Sequence, residues 1–220
     1  MNSHLISFIY LPNYDSFFIR NNKKDEDFFI YNNSIRNFLL SVDKKSIVLI
    51  GARYPLLLNN SYFDNKEGGI EGGRWVKRFE HIENLNIKWQ DSFKNSIEEL
   101  SFNKDISIIL LYPIPEVGFN INDKLKKYKF FSKTLLDTSF NVFKERTKSS
   151  FQLLDSIQGK NIYRVYPHTI FCDTIIKDRC VTHDNKKIFY SDSDHPSLKG
   201  AQMINDLIIK EVEKIELKSN

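Results

Sequence analysis

Ser46-Ile-Val-Leu-Ile50, followed at once by Gly51-Ala52-Arg53-Tyr54, is the stretch that decides the fold. Five residues dominated by β-branched side chains, closed by a glycine, form a short apolar run without polar alternation. That is the pattern of a strand buried on both faces. Three more runs share it: Leu5-Ile-Ser-Phe-Ile-Tyr-Leu11, Ile106-Ser-Ile-Ile-Leu-Leu-Tyr112 and Ile162-Tyr-Arg-Val-Tyr166. Between them lie helical periodicities. Ser34 to Val42 carries Ile35, Phe38, Leu39 and Val42; Phe93, Ile97 and Leu100 come after Asp91; Phe140, Phe143, Phe151, Leu154 and Ile157 come after Thr138. A last helix from about Ser197 shows Leu198, Ala201, Ile204, Leu207, Ile208, Val212 and Ile215 as one stripe, which reads as core packing.

Strands alternating with helices predict an α/β fold, a three-layer α/β/α sandwich of the doubly wound, flavodoxin-like kind with a parallel sheet. In such sheets ligands bind beyond the carboxyl ends of the strands. The working residues are therefore expected in Gly51-Ala-Arg53-Tyr54, in Pro113-Ile-Pro115-Glu116 and in the loop with Asp192 and His195. With no internal repeat and no low-complexity linker, residues 1–220 read as a single domain.

Composition narrows the classes. Hydrophobic residues at 41% and aromatic residues at 14% suit a packed core rather than a disordered chain. The net charge of +4 is scattered, and Lys124-Leu-Lys-Lys-Tyr-Lys129 is too short to track a phosphate backbone, so no nucleic-acid partner is expected. No apolar run reaches the length of a membrane span and the N-terminus has no export-signal pattern. Cys172 and Cys180 enclose Asp173–Arg179 without nearby histidine ligands, which argues against a zinc site and leaves a small disulfide loop or two unlinked thiols. No metal and no cofactor are expected. The glycine-rich Asn65–Gly73 lacks the Lys-Ser/Thr ending of a phosphate loop and reads as an ordered loop at a site rim or as a flexible excursion.

The chemistry concentrates in Tyr190-Ser-Asp192-Ser-Asp-His195-Pro-Ser197-Leu-Lys-Gly200-Ala201. An Asp three residues before a His supplies a base and its orienter for acyl transfer, and such a pair needs a serine within reach of the imidazole. The other histidines, His4, His81, His168 and His183, have no partner in a matching pattern and read as surface or boundary residues.

Several segments in a fixed order carry a family likeness: Gly51-Ala-Arg53-Tyr-Pro-Leu-Leu-Leu, Tyr62-Phe-Asp64-Asn65-Lys-Glu67-Gly68-Gly69, Pro113-Ile-Pro115-Glu116-Val-Gly118-Phe-Asn120, Arg146, the Phe171-Cys172 to Cys180 loop, and Tyr190 to Ala201. Together they resemble the SGNH hydrolase-like domain fused to membrane acyltransferase-3 proteins, which O-acetylate bacterial surface polysaccharides. The resemblance implies a sheet ordered 2-1-3-4-5 and a serine nucleophile in a Gly-Asp-Ser-His turn after the first strand. Asp192 would orient His195, with Asp194 the alternative, and His195 would deprotonate the serine. The family has Leu after this His where the chain has Pro196. If Pro196 instead opened the last helix, His195 would only cap or pack locally. Arg53 matches an Ala-Arg-aromatic pattern and would hold a carbohydrate oxygen or the oxyanion, or else form an ion pair with Glu67 or Glu71. Asp64, Asn65 and Arg146 would contact substrate at the rim, or else bond within loops. The likeness also implies a Cys172–Cys180 disulfide.

The nucleophile is the gap in this pattern. Met1-Asn-Ser3-His4 looks like a worn Gly-Asp-Ser-His, yet no strand precedes Ser3 and an apolar run comes after it. That run better resembles the family's second strand, which makes Ser3 a coincidence. The expectation is then a chain without the first strand, truncated at its N-terminus, with a gap in the middle of the sheet and the serine lost or upstream. The implied function is O-acyl transfer, of acetyl, to a surface polysaccharide, with the acyl donor delivered by a membrane acyltransferase domain. The placement would be periplasmic or membrane-associated in the complete protein. A non-catalytic remnant or glycan-binding module and a carbohydrate esterase are the alternatives.

Overall fold

The computed structural model describes residues 6–8, 34–59, 61–71, 86–127, 136–184 and 186–219. These fall into two compact units, each assembled from three separated stretches of chain. The first comprises residues 1–52, 81–111 and 151–164, and the second residues 53–80, 112–150 and 165–220. Ser3, His4 and His81 lie outside the described residues.

The first unit is organised by the sheet that the apolar runs predict. Its strands are β1 (Ile6–Phe8), β2 (Ser46–Gly51), β3 (Ile106–Leu111) and β5 (Ile162–Val165), in the order β1-β2-β3-β5. Strands β1 and β2 pair in parallel with Ile6 opposite Ile47, and β2 and β3 pair in parallel with Ser46 opposite Ile106. Ile106, Ile108, Ile109 and Leu110 are fully buried. Their lack of alternation results from a central parallel strand with both faces covered. The gap expected beside β2 is not there, because β1 pairs directly with that edge. Backbone N–H and C=O groups buried without partners are costly, so a parallel strand that pairs with the edge satisfies them.

Helix α1 (34–40) precedes β2, and helix α3 (Asn86–Leu100) precedes β3. Phe93, Ile97 and Leu100 of α3 are all buried, as their helical spacing predicts.

The second unit begins with helix α2 (Tyr54–Asn59), for which the sequence carried no prediction. Leu56 N donates to Arg53 O at 3.1 Å, and Pro55 in the first turn removes a donor that the helix would leave unused. Later in the chain, α4 (Ile121–Lys127) is succeeded by β4 (Asp137–Ser139) and α5 (Phe140–Ser156). Strand β4 pairs antiparallel with β6 (Arg179–Val181), a two-stranded sheet too short to show in the sequence pattern. Cys172 and Cys180 are joined by a disulfide, and both are buried. Phe171 packs against Phe189 and Tyr190, with ring centroids 5.9 and 5.6 Å away. Helix α6 (Leu198–Ser219) buries Ile204, Ile208, Val212 and Ile215. Leu198 departs from the expected stripe: as the first helical residue it is 79% exposed. His183 is a correction of a different kind. It is a buried residue rather than a surface one, its Nε2 accepting from Leu136 N at 3.0 Å while Nδ1 donates to Asp184 O at 2.8 Å. Among the described residues no helix is long and apolar enough to cross a membrane.

Candidate active site

The His195 loop lies between Tyr190 and Pro196, which form an isolated antiparallel bridge. Ser191 N donates to His195 O at 2.8 Å and closes the loop. Asp192 then turns back on the chain: its Oδ1 accepts from Asp194 N at 3.0 Å and from His195 N at 2.8 Å. With one oxygen held by main-chain donors, the carboxylate aims Oδ2 at His195 Nδ1, 2.8 Å away. A carboxylate only accepts, so Nδ1 carries the hydrogen and Nε2 carries the lone pair. Burial raises the Asp192 carboxyl, but the two main-chain N–H groups and His195 outweigh it and hold the group below its ordinary range. The ring itself is exposed, with 64% of its surface open to solvent.

Ser197 anchors the loop to α6. Its Oγ accepts from Gly200 N at 3.2 Å, capping the helix, and donates to Ile188 O at 2.5 Å. Gly200 admits no side chain, since a Cβ there would lie 2.0 Å from Phe189 O. Pro196 precedes the cap and lies outside the helix, which begins at Leu198.

Behind the loop lies a cluster of five charged side chains, all within the second unit. Arg53 comes two residues after β2, and each of its three nitrogens meets a carboxylate. Nε donates to Glu116 Oε1 at 2.8 Å, Nη1 to Glu71 Oε1 at 2.8 Å, and Nη2 to Glu71 Oε2 at 2.5 Å and also to Glu116. Nη1 additionally pairs with Asp194 Oδ2 at 3.0 Å. Glu116, beyond the end of β3 and buried, bridges to Arg146 of α5, whose Nε donates to its Oε2 at 2.8 Å. Arg146 is completed by Ser61, through Oγ at 2.9 Å and the carbonyl at 2.7 Å. Burial opposes the Arg53 charge, but Glu71, Glu116 and Asp194 together raise its pKa above the ordinary arginine value. Burial likewise works to raise Glu71, yet Arg53 prevails and lowers it. For Asp194 burial wins over Arg53 and the group is raised.

The other expected site residues bond mainly within their own loops. Asp64 accepts from Lys66 N and pairs with its Nζ, both at 2.8 Å. Asn65 is buried and staples its loop: Oδ1 accepts from Glu67 N and Gly69 N, and Nδ2 donates to Val117 O at 3.0 Å. The close approach requires Gly118, at φ +78, because a Cβ there would lie 2.8 Å from Gly69 O. Val117 N in turn donates to Ser193 O at 2.7 Å, which ties this segment to the His195 loop. Residues 61–71 thus form an ordered loop, while Gly72 and Gly73 lie outside the described residues. Glu67 pairs with Arg179 rather than Arg53. Asp192 rather than Asp194 is the partner of Nδ1, since Asp194 Oδ1 stands 3.7 Å off.

Sequence reasoning placed Glu116 in an expected site segment but missed its role as the carboxylate joining Arg53 to Arg146. The available signal was an acidic residue shortly beyond the carboxyl end of a buried strand. Asp192, Asp194 and His195 offer ligand atoms within 4.8 Å of one another. Their hydrogen bonds to the main chain, to Arg53 and to each other already account for that geometry.

Comparison with known proteins bears on the family and the fold. The family described as SGNH domain (fused to AT3 domains) matches residues 10–210. Among curated proteins none matches the sequence. The periplasmic domain of a lipopolysaccharide acetyltransferase from Salmonella ser. Paratyphi A is similar in structure, with a TM-score of 0.50 and 14% identity. The match covers 89% of this chain and 67% of that one, and at such identity the likeness is one of fold. With the mixed α/β architecture and the family match over nearly the whole sequence in agreement, the chain belongs to the family of SGNH domains fused to AT3 domains.

Proposed function

We propose that this chain contributes the His-Asp half of a Ser-His-Asp site that moves an acetyl group onto a hydroxyl of a cell-surface polysaccharide. The observation that carries the reading is the 2.8 Å contact between His195 Nδ1 and Asp192 Oδ2, made by a carboxylate whose other oxygen is fixed by two main-chain N–H groups. Asp192 sets the tautomer and stabilises the imidazolium, and Nε2 is the base. No Gly-Asp-Ser-His occurs in these 220 residues, so the reading takes its nucleophile to be a serine that they do not supply. Its Oγ loses a proton to Nε2 and attacks the acyl carbonyl, and His195 returns that proton to the leaving group as the acyl–donor bond breaks. The glycan hydroxyl then gives its proton to Nε2 and attacks the acyl-serine ester, and the serine leaves with the proton.

The family's fusion to AT3 domains supports a membrane acyltransferase domain as the source of the acyl group, and the Salmonella neighbour supports a lipopolysaccharide-type acceptor and a periplasmic setting. The same triad serves an esterase when water replaces the glycan. The test is the O-acetyl content of surface polysaccharide, read by NMR, from cells carrying His195→Ala or Asp192→Asn. His195→Ala is expected to lower transfer about 100-fold or more. Unchanged O-acetylation with the variant expressed at wild-type level would leave a glycan-binding module as the better reading.

A further inference from the structure

Two carboxylates reach the same ring nitrogen. Asp192 Oδ2 stands 2.8 Å from His195 Nδ1 and Asp194 Oδ1 stands 3.7 Å from it. Asp194 is the more buried of the two, with 10% of its side chain exposed against 42% for Asp192. It is the natural competitor for the Nδ1 hydrogen, being adjacent in sequence and short of solvent to satisfy it. Two contacts hold it away: Oδ2 pairs with Arg53 Nη1 at 3.0 Å, and Oδ1 accepts from Ser193 Oγ at 2.9 Å.

We propose that Arg53 is a positioning residue for His195: by holding Asp194 it withdraws the second carboxylate from Nδ1 and leaves Asp192 as the one acceptor that orients the ring. The proposal deepens the acyl-transfer reading and rests on His195 being its base. A base that alternates between two acceptors swings its Nε2 lone pair, and catalytic groups tolerate only about 10–20° of such error. Arg53 is suited to the task because it is itself held on several sides. Glu71 grips Nη1 and Nη2, Glu116 grips Nε, and Arg146 with Ser61 holds Glu116 from the far side. A rigid, always-charged fork makes several such bonds at once in a way that lysine cannot.

The charges of this cluster come from every segment that builds it. Asp192 and Asp194 lie on the loop itself, Arg53 after β2, Glu71 on the 61–71 loop, Glu116 after β3, and Arg146 on α5. Behind Asp192, three carboxylates (Glu71, Glu116, Asp194) meet two guanidinium groups (Arg53, Arg146). Removing Arg53 leaves three against one, and the negative potential at His195 rises.

The test is a side-chain NMR titration of the full chain, with the His195 signal assigned by its loss in His195→Gln. Arg53→Gln is expected to move the His195 midpoint up by about one unit relative to the wild type. Asp194→Asn, which keeps the Arg53–Glu71 and Arg53–Glu116 pairs, is expected to lower it by clearly less than Asp192→Asn does, and the Arg53→Gln/Asp194→Asn double variant to return it to the wild-type midpoint. Asp192→Asn lowers it and calibrates an unshielded carboxylate. If Arg53→Gln does not fold, Asp194→Asn decides alone. The proposal is overturned if Asp194→Asn lowers the midpoint as far as Asp192→Asn does, or if folded Arg53→Gln leaves it unmoved. Failure of His195-dependent O-acetylation with this titration pattern intact sinks the acyl-transfer reading and not the positioning.

Discussion

Glu116→Gln removes one negative charge from a side chain that is only 5% exposed while keeping its shape, and the structure fixes what that leaves behind. Arg146, 9% exposed, loses its one ionic partner among the described residues and keeps Ser61. Arg53 loses one carboxylate but keeps Glu71 and Asp194. At the 2.8 Å Arg146–Glu116 contact the gross attraction is about 6 kcal/mol for an effective dielectric of about 20. Desolvation offsets part of it in the folded state, and breaking a buried pair from one side costs about 3–5 kcal/mol in general. Because Arg53 is only partly deprived, the expected loss is about 3 kcal/mol. In urea unfolding this lowers the midpoint by about 1 M for a protein of this size. Glu67→Gln is the control: its Arg179 pair is 37% and 29% exposed, and its loss costs about 1 kcal/mol or less. The reasoning is refuted if Glu116→Gln is no less stable than Glu67→Gln.

The same contacts set three further outcomes. Gly200→Ala forces a Cβ to within 2.0 Å of Phe189 O, so it should lose about 2 kcal/mol or more in the same unfolding assay, and a neutral result would mean that the His195 loop yields easily. Glu71 has a folded pKa below its ordinary value, so its contribution to stability is complete above about pH 4.3 and is lost as pH falls through the lower folded value. Glu71→Gln should therefore flatten the loss of stability below about pH 4, measured by unfolding across pH, and an unchanged acid limb would contradict that. Tyr190 is buried and its hydroxyl has no hydrogen-bond partner among the described residues, with burial and the nearby Glu116 charge raising its pKa. Tyr190→Phe should leave stability unchanged or raise it by up to about 1 kcal/mol, and a clear loss would reveal a bond to that hydroxyl.

The sheet was legible because central parallel strands need nothing but apolar, β-branched residues, and Ile106 to Leu111 is a six-residue strand with only one serine among its apolar side chains. The long helices were legible for a similar reason, their buried stripes being regular. The helix Tyr54–Asn59 and the pairing of Asp137–Ser139 with Arg179–Val181 were not, since six and three residues carry too little periodicity. In the candidate site, Asp192 and His195 could be read as a pair because the loop brings near neighbours together. The roles of Glu116 and Asp194 could not, because the contacts that define them join residues 63 and 141 positions apart from Arg53, a distance no local pattern spans. Of the two readings given for Asn65, the structure shows the loop bonding, which makes it the staple of its own loop. His183 was misread because a buried imidazole bonded to main chain on both sides leaves no signature in sequence.

The most direct measurement is phosphonofluoridate labelling of the folded protein, expressed from its complete gene, with mass spectrometry to locate the modified residue, compared between the wild type and His195→Ala. An ordinary serine is inert to this reagent, so the account predicts one labelled serine in the wild type and labelling slowed about 100-fold or more without His195. Equal labelling rates in the two proteins, or no labelled serine in folded wild type, would contradict the claim that His195 is the base of an acyl-transfer site.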